Sequence, residues 1–481
     1  MSEQELGVTV EKEGNMGEWY TEVVKKAELA DYAPVSGCMV IRPWGMAIWD
    51  RIKDIFDSWI EEDGVEDAYF PLFIPESYLE QEKDIVEGFD PEVAWVTEGG
   101  YEELEERLAV RPTSESIIAP YMSKWIRSHR DLPLRLNQWA NVVRWEATET
   151  TPFLRTKEFL WQEGHTAHAG NEEADEEMHT RLDQYEKLLE EVMGISVLKG
   201  RKPEHDKFPG ANTTTTIEAL MPDGKSLQSG TSHNLGQDFA EAFDISYMDE
   251  NGEEQLCYTC SWGLSTRVVG ALIMAHGDDQ GLVLPPRIAP EQVVIVPIWQ
   301  DDNEDEVRDY AEQVYEELDE EGFRVELDDR DYRNPGYKFN EWELKGVPLR
   351  IEIGPDEVDS NELTGVHRDT GEQERFDRGE VVEHVREDLD EMQDRLLQGQ
   401  RDFQEGNVRE AGTQEEIVEK IREHGGYVKA DWCGREECEE PVKEEVAADI
   451  VMVPLQEEDV EGECAVCGRE AEETAYFARN Y

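Results

Sequence analysis

The sequence predicts an α+β domain, then an α/β unit, and then a small cysteine-bearing α/β domain at the C-terminus. The first is predicted from two strand patterns joined by a long loop between Val142 and His168. The second is predicted from strand and helix patterns that alternate after Glu291. A length of 481 residues suggests about three domains. We expect the domains at residues 1–290, 291–400 and 401–481.

The chain is strongly acidic, with a formal net charge of −68 from 114 acidic and 46 basic residues. The acidic residues are dispersed among 13 Trp, 16 Tyr and 14 Phe, which favours a folded protein over a disordered acidic tail. A large net negative charge of this kind occurs in proteins of halophiles. At 1 M salt the Debye length is about 3 Å, so salt screens the repulsion among the acidic residues. We therefore expect a cytoplasmic protein from a high-salt cell. Any contact with nucleic acid would depend on local basic residues.

Neither a secretory leader nor a membrane span is predicted. The first residues, MSEQELGVTVEKEG, lack a basic start followed by an apolar core. The longest apolar runs resemble VVIVPIW at Val293–Trp299, far short of the ~18 residues that a span needs. Seven cysteines, four of them clustered late, indicate a reduced compartment and a metal site rather than disulfides.

Before Val142, two segments carry chemistry or contacts. An amphipathic helix should begin at Pro43 and end near Gly64. The strand that follows, Val65–Pro75, contains prolines, which restrict it to a sheet edge or an interface. An ordinary edge strand and an oligomer contact both remain open. Thr113 and Glu115 precede a helix predicted at residues 117–128, where they either cap the helix or recognise an ammonium group.

The stretch from Val142 to His168 reads as two strands joined by a loop that contains Arg155. Charged residues are rarely fully buried unless they are paired, and a loop this long suggests a ligand clamp. A solvated face with salt bridges and a site for an anionic ligand with an apolar part both remain open. The alternation places these side chains on shared faces: Val142, Arg144 and Glu146 in the first strand, and Phe159, Trp161, Glu163 and His165 in the second.

Later segments add helices, strands and two further candidate positions. A long acidic helix is predicted at Asn171–Met193 and a strand at Thr213–Ala219. The strand CYTCSW should turn at Gly263 into a helix over Ser265–His276, and GDDQGLVLPP should form a loop and a short strand. Arg267 falls in the first turn of that helix, where a cation is unfavourable for the helix itself but suited to holding an anion. The stretch QSGTSHNLG is either a turn or a set of donors for phosphate and ribose: Gln228, Thr231 and His233.

Four late cysteines have the spacing of a structural zinc site. Cys433-x4-Cys438 and Cys464-x2-Cys467 supply four thiolates, which suits a closed tetrahedral Zn²⁺ site. Reduced free thiols are the alternative. Cys257 and Cys260 also lie two residues apart, but their predicted strand favours core packing.

Several of these segments, in this order, resemble the class II aminoacyl-tRNA synthetases, and most closely the prolyl family of the archaeal and eukaryotic type. The helix with FPLFIP is similar to motif 1, VVRWE…FLRTKEFLWQE to motif 2, and SWGLSTRVVGALI to motif 3. RPTSES, QSGTSHNLG and HGDDQGLVLPPRIAP carry the assignment to the prolyl family. The resemblance implies an α+β catalytic domain with the class II antiparallel sheet and flanking helices, an α/β anticodon-binding domain and a small α/β zinc-binding C-terminal domain.

The resemblance also implies substrates and residue roles. L-proline would react with ATP and Mg²⁺ to give prolyl-adenylate and diphosphate, and the prolyl group would pass to tRNA(Pro). Arg144 and Arg267 would be catalytic, and motif 1 implies a homodimer. The proline site would comprise Thr113, Glu115, Arg144, Phe159, Trp161, Glu163, His165 and His233. The ATP site would comprise Arg144, Glu146, Arg155, Thr156, Gln228, Thr231, Ser265 and Arg267.

Accuracy and alternative functions are open to prediction as well. The interval from His168 to Gln228 is too short for an editing domain, so we expect no editing in cis and some mischarging with alanine or cysteine. A catalytically dead synthetase-like regulator is one alternative, although Arg144 and Arg267 are both present. A threonyl or glycyl synthetase is another, disfavoured by Thr113 and Glu115. In the anticodon-binding domain these cations stand out and are either tRNA contacts or salt bridges: Arg324, Arg330, Arg333, Lys338, Lys345, Arg350 and Arg368.

Overall fold

The computed structural model describes residues 7–83, 92–300, 302–456, 460 and 462–481. Residues 1–6, on which the expectation about a leader partly depends, lie outside the described residues. In the described part of the chain, no helix is long and apolar enough to cross a membrane.

The N-terminal region is built around a mainly antiparallel sheet with helices packed against it. Its helices are α1 (Met16–Lys26), α2 (Pro43–Glu62), α3 (Glu76–Lys83), α4 (Glu115–Trp125), α5 (Asn171–Lys187, extended by a π turn at Leu188–Val192), α6 (Asp238–Phe243) and α7 (Arg267–His276). Its strands are β1 (Ala30–Tyr32), β2 (Met39–Ile41), β3 (Glu66–Asp67), β4 (Phe73–Pro75), β5 (Trp95–Gly99), β6 (Glu102–Val110), β7 (Leu134–Val143), β8 (Glu158–His168), β9 (Val197–Arg201), β10 (Thr213–Leu220), β11 (Ser226–Gly236), β12 (Ser246–Met248), β13 (Glu254–Leu256) and β14 (Tyr258–Ser265).

The two C-terminal units alternate strands and helices. The first contains β15 (Val293–Pro297), α8 (Glu304–Glu320), β16 (Val325–Leu327), α9 (Pro335–Lys345), β17 (Leu349–Ile353), α10 (Pro355–Ser360), β18 (Glu362–His367), β19 (Gln373–Asp377) and α11 (Val381–Gly406). The second contains β20 (Val408–Ala411), α12 (Gln414–His424), β21 (Tyr427–Trp432), α13 (Glu440–Val446), β22 (Asp449–Pro454) and β23 (Glu473–Ala478).

The central sheet has the strand order β20-β21-β23-β22-β9-β10-β11-β14-β8-β7-β3. Its middle strands are antiparallel neighbours and form the floor of the site. The C-terminal unit joins this sheet because β22 pairs with β9, through Val453 with Arg201 and Pro454 with Gly200. This continuation was not foreseen from the sequence.

The core beneath the sheet explains why α2 forms and where it lies. Its apolar residues recur every three or four positions, and Ile52 and Phe56 are fully buried. Phe56 stacks on Tyr185 of α5 at 5.2 Å and meets Trp262 of β14 edge-on at 6.4 Å. Burying one such aromatic side chain stabilises the fold by roughly 1.5–3 kcal/mol. The helix predicted from Pro43 to Gly64 is therefore confirmed to within two residues.

The strand pair around the long loop is confirmed, but its first strand was misplaced. β7 ends at Val143, and the backbone N–H of Arg144 donates to Lys157 O at 2.7 Å as the chain leaves the sheet. Arg144 and Glu146 therefore do not share a strand face with Val142. The strand was missed further upstream because β7 buries Asn137 and Gln138, which interrupts the apolar alternation.

Other boundaries differ from the predictions for local reasons. The segment Val65–Pro75 divides into β3 and β4, each at the edge of its sheet, as its prolines require. The helix predicted at residues 117–128 begins earlier, at Glu115. β14 continues through Gly263 to Ser265, so α7 begins two residues later than predicted. No strand forms in LVLPP, because Leu282 and Leu284 donate their backbone N–H groups to the end of α9 and the residue after it.

The first of the two C-terminal units, residues 293–406, is called the anticodon-binding-like unit below. It has a mixed five-stranded sheet in the order β16-β15-β17-β18-β19. β15 lies parallel to β16 and β17, whereas β17, β18 and β19 are antiparallel neighbours. The alternating α/β pattern is confirmed. The hairpin β18–β19 was missed because its sequence, ELTGVHRDTGEQERFD, is mostly polar.

Candidate active site

Two adjoining cavities lie over β8, β10, β11 and β14. The larger has a volume of about 250 Å³ and opens to solvent. Together they are lined by every residue that the sequence predicted for the proline and ATP sites. The larger cavity contains Thr113, Glu115, Arg144, Phe159, Trp161, Glu163, His165, Gln228, Thr231, His233, Ser265 and Arg267. The smaller contains Arg144, Glu146, Arg155, Thr156, Phe159, Ser265 and Arg267.

Strand periodicity explains why one end of the larger cavity combines aromatic and charged side chains. Phe159, Trp161, Glu163 and His165 alternate along β8 and face the cavity together, as the sequence predicted. Phe159 and Trp161 are only partly buried, and their rings meet edge-on at 5.9 Å. This end therefore offers aromatic walls above a polar floor.

Glu163 is the centre of a buried hydrogen-bond network. Its carboxylate accepts from Ser114 Oγ at 2.5 Å and from Gln138 Nε2 at 2.8 Å, and it contacts His165 Nε2 at 3.0 Å. Burial by itself raises the pKa of Glu163, but these hydrogen bonds outweigh it and hold that pKa below its ordinary value. Burial lowers the pKa of His165, yet Glu163 and the charge of Glu115 raise it overall. Each shift favours the charged form of its own side chain, so the pair is an ionic contact wherever His165 is protonated.

Thr113 and Glu115 meet at the entrance to α4. The hydroxyl of Thr113 donates to the Glu115 carboxylate, and both side chains are buried. Because Glu115 lies in the first turn of the helix, its charge is favourable there. Both residues line the larger cavity, so their oxygen atoms are a candidate acceptor site for a cationic group.

His233 is neutral in the folded protein. Burial, followed by the charge of His165, lowers its pKa to about 3. Its Nδ1 lies 3.0 Å from Thr214 Oγ1, and its ring packs on Phe208 at 4.8 Å. Thr231 and His233 share a face of β11, so the stretch QSGTSHNLG is a strand rather than a turn.

Three arginines surround the junction of the cavities. Arg144 lies 5.5 Å from the Phe159 ring and 5.7 Å from the Trp161 ring. Arg267 Nε donates to Leu154 O at 3.1 Å, and the same residue begins α7. Burial, followed by repulsion from Arg144, lowers the pKa of Arg267 to about 10, so it remains charged at neutral pH. Arg155 lies in the loop between β7 and β8 and lines the smaller cavity.

None of these arginines forms an ion pair with a carboxylate within the described ranges. Solvent reaches Arg144, but the walls of the cavity surround it, and this desolvation lowers its pKa while Glu146 and Glu115 oppose the shift. In a chain with a net charge of −68, cations without carboxylate partners are available to an anionic ligand.

The sequence did not single out part of the cavity wall. Lys202 pairs with Glu218 at 3.3 Å and with Asp206 at 3.4 Å, and burial alone would have lowered its pKa. Four of the missed residues lie in the irregular segment between β9 and β10, where no periodicity marks a shared face: Lys202, Asp206, Lys207 and Phe208. The DKFPG turn was the available signal. The missed lining residues are Lys202, Asp206, Lys207, Phe208, Thr214, Ser229, Gly230, Ser261, Trp262, Gly263 and Leu264.

The four late cysteines converge on one point of the C-terminal unit. Their sulfur atoms all lie within 4.8 Å of one another, with Cys433 Sγ 3.5 Å from Cys438 Sγ and 3.6 Å from Cys467 Sγ. A tetrahedral ion with Zn–S bonds of about 2.3 Å separates its sulfurs by about 3.8 Å. Cys464 is buried with the first two, whereas Cys467 is exposed. The arrangement fits a zinc ion.

Two other candidate groups have structural roles. Cys257 and Cys260 are buried, and Cys260 Sγ donates to Ala174 O at 3.2 Å, so core packing is confirmed. Most cations of the anticodon-binding-like unit are also satisfied internally, as the salt-bridge alternative predicted. Arg324 donates to Ala289 O and Pro286 O, and the other contacts are Arg330–Asp328, Lys338–Asp328, Lys345–Glu341, Arg350–Glu352, Arg368–Asp278 and Arg333 stacked on Tyr337.

The antiparallel sheet, the arginine-lined cavity and the α/β unit define a class II aminoacyl-tRNA synthetase. Residues 95–276 match the model of the tRNA synthetase class II core domain (G, H, P, S and T), and residues 292–388 match the anticodon binding domain. Residues 414–481 match the model described as prolyl-tRNA synthetase, C-terminal. The chain belongs to the proline–tRNA ligase family.

Relatives and a solved structure agree with this assignment along the whole chain. The proline–tRNA ligase of Haloarcula marismortui is 65% identical over 481 residues, covering 100% of this chain and 99% of the relative. That of Halorubrum lacusprofundi is 63% identical over 487 residues, with the same coverage. The crystal structure of prolyl-tRNA synthetase from Cryptosporidium parvum, complexed with halofuginone and AMPPNP, has a TM-score of 0.93 and 41% identity. It covers 99% of this chain and 100% of that one. Both sequence relatives come from halophilic archaea, in agreement with the acidic composition, and the threonyl or glycyl alternative is wrong.

Proposed function

We propose that this proline–tRNA ligase activates L-proline with ATP to prolyl-adenylate, releases diphosphate, and transfers the prolyl group to the 3′ end of tRNA(Pro). The observation that carries the proposal is the set of arginines without carboxylate partners, Arg144, Arg155 and Arg267, at the junction of the two cavities. Attack of the proline carboxylate on the α-phosphate joins two anions and builds charge at phosphorus. Fixed guanidinium groups lower that barrier by electrostatics and positioning.

The polar and aromatic ends of the larger cavity divide the recognition of proline between them. Thr113 and Glu115 accept the ammonium hydrogens, and Arg144 holds the carboxylate beside the α-phosphate. Phe159 and Trp161 enclose the pyrrolidine ring. Glu163 and His165, fixed by their buried ionic contact, form the floor with His233, whose neutral ring presents no competing charge.

The adenine nucleotide occupies the smaller cavity and the adjoining part of the larger one. Arg155 and Arg267 grip the phosphates, and the solved relative complexed with AMPPNP supports a nucleotide in this family's site. Bound Mg²⁺ would neutralise charge on the phosphates, and its oxygen preference suits the hydroxyl, amide and carboxylate groups nearby. These groups orient the adenosine and the phosphates: Glu146, Thr156, Gln228, Thr231 and Ser265.

ATP–pyrophosphate exchange across the twenty amino acids tests the proposal in molar KCl. Only proline should support rapid exchange, with slower exchange for alanine or cysteine. Arg144→Ala should lower the proline-dependent rate by roughly 10²–10³-fold, the cost of losing one electrostatic contact to a developing charge. Arg375→Ala is the matched control, because Arg375 is a solvent-exposed arginine on β19, in the anticodon-binding-like unit. Near-normal exchange in Arg144→Ala would refute the role, and no exchange in the wild type would favour a dead regulator.

We also propose that the protein does not edit mischarged tRNA in cis. The interval between His168 and Gln228 consists of α5, β9, β10 and the connections that pack them into the central sheet. A pocket that excludes a smaller side chain by van der Waals contact gains only ~1–3 kcal/mol of discrimination. The purified enzyme should therefore leave Ala-tRNA(Pro) intact beyond its spontaneous hydrolysis. Accelerated hydrolysis that is lost on heat inactivation of the protein would contradict this.

The remaining parts of the proposal concern the assembly and its setting. We propose a homodimer in the cytoplasm of a high-salt cell, with structural Zn²⁺ on the four cysteines and domains at 1–290, 291–400 and 401–481. The side chains of Tyr69 and Phe73 are 74% and 43% exposed beside the edge strands β3 and β4, which suits contact with a second copy. Sedimentation in molar KCl should give a dimer, and Tyr69→Asp should shift it towards monomer; Tyr101→Asp, at an exposed turn, is the control.

A further inference from the structure

A cluster of two histidines and two carboxylates lies in the anticodon-binding-like unit, outside the active site and the cysteine site. His367 ends β18, Glu374 lies in β19, and His384 and Asp388 are one turn apart on α11. We propose that this His–carboxylate cluster binds a divalent transition-metal ion of the zinc type. The ion would join the β18–β19 hairpin to the long helix α11.

Three of the four side chains have ligand atoms close enough to one another to share one ion, and His384 adjoins two of them. Both imidazoles now lie within hydrogen-bond distance of one Glu374 oxygen. The ligand atoms of His367, Glu374 and Asp388 all lie within 4.8 Å of one another. His367 Nε2 is 2.6 Å from Glu374 Oε1 and 3.8 Å from Asp388 Oδ2. His384 Nε2 is 3.1 Å and 3.2 Å from the same two oxygens. With metal–ligand bonds of 2.0–2.1 Å, a tetrahedral zinc ion separates neighbouring ligands by about 3.3 Å.

A second observation points to a missing cation. Asp388 Oδ2 is shielded from solvent and accepts no well-directed hydrogen bond from the described residues, although two imidazole nitrogens lie near it. A shielded carboxylate oxygen without a donor is costly, because folding has removed its hydration. A metal ion needs no donor hydrogen and binds the lone pair directly. The ion would replace the protons on the imidazole nitrogens, so binding releases protons.

The surroundings hold the cluster in place and leave its charge uncompensated. The ring of His384 stacks on Phe376 at 3.9 Å with an angle of 24° between the planes, which fixes its orientation. The nearby Arg395 is engaged by Asp369 at 2.9 Å and by Glu391 at 3.6 Å. The positive charge of Arg395 is therefore neutralised by these two carboxylates and does not compensate the negative charges of Glu374 and Asp388.

The chemistry of the donors selects the class of ion. Two imidazoles with two carboxylates suit zinc and similar borderline ions, whereas Mg²⁺ prefers six oxygen ligands in a regular octahedron. The cysteine site, with four sulfur ligands, is chemically distinct. A protein with both sites should carry two zinc ions per chain.

Zinc stoichiometry tests the proposal in the full-length protein. Metal-stripped protein is equilibrated with Zn²⁺ in molar KCl with excess Mg²⁺, which blocks weak carboxylate sites on the acidic surface, and is then desalted. The wild type should retain two zinc ions per chain, and the double variant His367→Gln, His384→Gln should retain one. His424→Gln is the control, because His424 is exposed on α12 and should leave the count at two.

Cobalt substitution assigns each ion to its site. Co²⁺ on the cysteines gives thiolate charge-transfer bands, whereas Co²⁺ on the His–carboxylate cluster gives only weaker visible bands. The double histidine variant should lose the second set and keep the first, and Cys464→Ser should do the reverse. One retained ion with thiolate bands alone, or an unchanged count in the double variant, would overturn the proposal. If the cysteine site does not retain a metal ion, the wild type should retain one ion per chain. The proposal then still holds if Cys464→Ser keeps that ion and the double histidine variant loses it.

Discussion

Gly164 allows Trp262 to pack against the core side of the central sheet, and adding one methyl group there should lower the stability of the protein. Gly164 lies opposite Trp262 in the pairing of β8 with β14. A Cβ on Gly164 would lie 2.0–2.4 Å from three atoms of the Trp262 indole. Glycine in a strand interior often marks such a close approach of another group.

The indole has no free space into which it can move. Trp262 is 1% exposed and packs against Phe56 at 6.4 Å and Tyr185 at 6.5 Å. The guanidinium of Arg181 lies 5.2 Å from the same ring. Gly164→Ala must therefore either strain the two strands, at about 1–3 kcal/mol or more, or expel the indole, which loses roughly 1.5–3 kcal/mol of burial. Both routes predict a loss of about 3 kcal/mol.

The assay compares Gly164→Ala with Gly170→Ala. Gly170 lies two residues beyond the same strand, and a Cβ there would meet nothing within 4 Å. Its position before α5 makes an alanine cost at most about 1 kcal/mol. At roughly 2 °C per kcal/mol for a unit of this size, the thermal midpoint of Gly164→Ala should fall by about 6 °C in molar KCl. Gly164 and the Trp262 indole lie on the core face of the sheet, opposite Glu163 and His165, so KM for proline and KM for ATP should change little.

The reasoning fails if the two variants have the same thermal midpoint. In that case the strands would accommodate the methyl group without disturbing Trp262.

Three other perturbations have expected outcomes. The folded-state pKa of His165 lies above its ordinary value of 6.5. The contact of His165 with Glu163 therefore stabilises the fold fully below pH 6.5, and this stabilisation is lost as pH rises through the raised pKa. The thermal midpoint should fall over that pH window in the wild type but not in His165→Gln. Cys464→Ser should lower the zinc content by one Zn²⁺ per chain, measured with a colorimetric zinc indicator, and make the C-terminal unit sensitive to protease before the rest of the chain. Arg368→Ala removes a buried guanidinium that contacts both carboxylate oxygens of Asp278 at 2.6 and 2.8 Å. This variant should lose about 2 kcal/mol of stability and keep its ATP–pyrophosphate exchange. An unchanged thermal midpoint would contradict the prediction.

Periodicity predicted the site best where the strand is regular and partly exposed. The alternation of β8 correctly placed Phe159, Trp161, Glu163 and His165 on the cavity side. The same rule misplaced β7, because that strand buries Asn137 and Gln138 to serve Gln162 and Glu163. Polar residues that are buried for their hydrogen bonds look like surface residues in a sequence.

The sequence pattern could not predict the pairing of strands that are distant in the chain, for a different reason. The C-terminal unit joins the central sheet through two residue pairs between β9 and β22, about 250 positions apart. The two strands have no local feature that identifies each other, since any edge strand offers the same backbone groups. The chain end follows them, and Tyr481 N donates to Ser226 O beside β11. Such contacts depend on the assembled sheet rather than on the local sequence.

The acidic composition makes the arginines of the site more informative than they would be in a neutral protein. With 114 acidic residues against 46 basic ones, most cations can find a carboxylate, and the guanidinium groups of Arg181, Arg330 and Arg368 do so. At molar salt an exposed ion pair is strongly screened, so the surface carboxylates of such a chain interact mainly with water and salt. A cation that faces a cavity without a carboxylate partner is different, because the walls partly desolvate it and no fixed anion matches its charge. Arg144, Arg155 and Arg267 are therefore placed where an anion competes with bulk ions on favourable terms, which supports the proposal that they hold the phosphates of ATP in a protein of net charge −68.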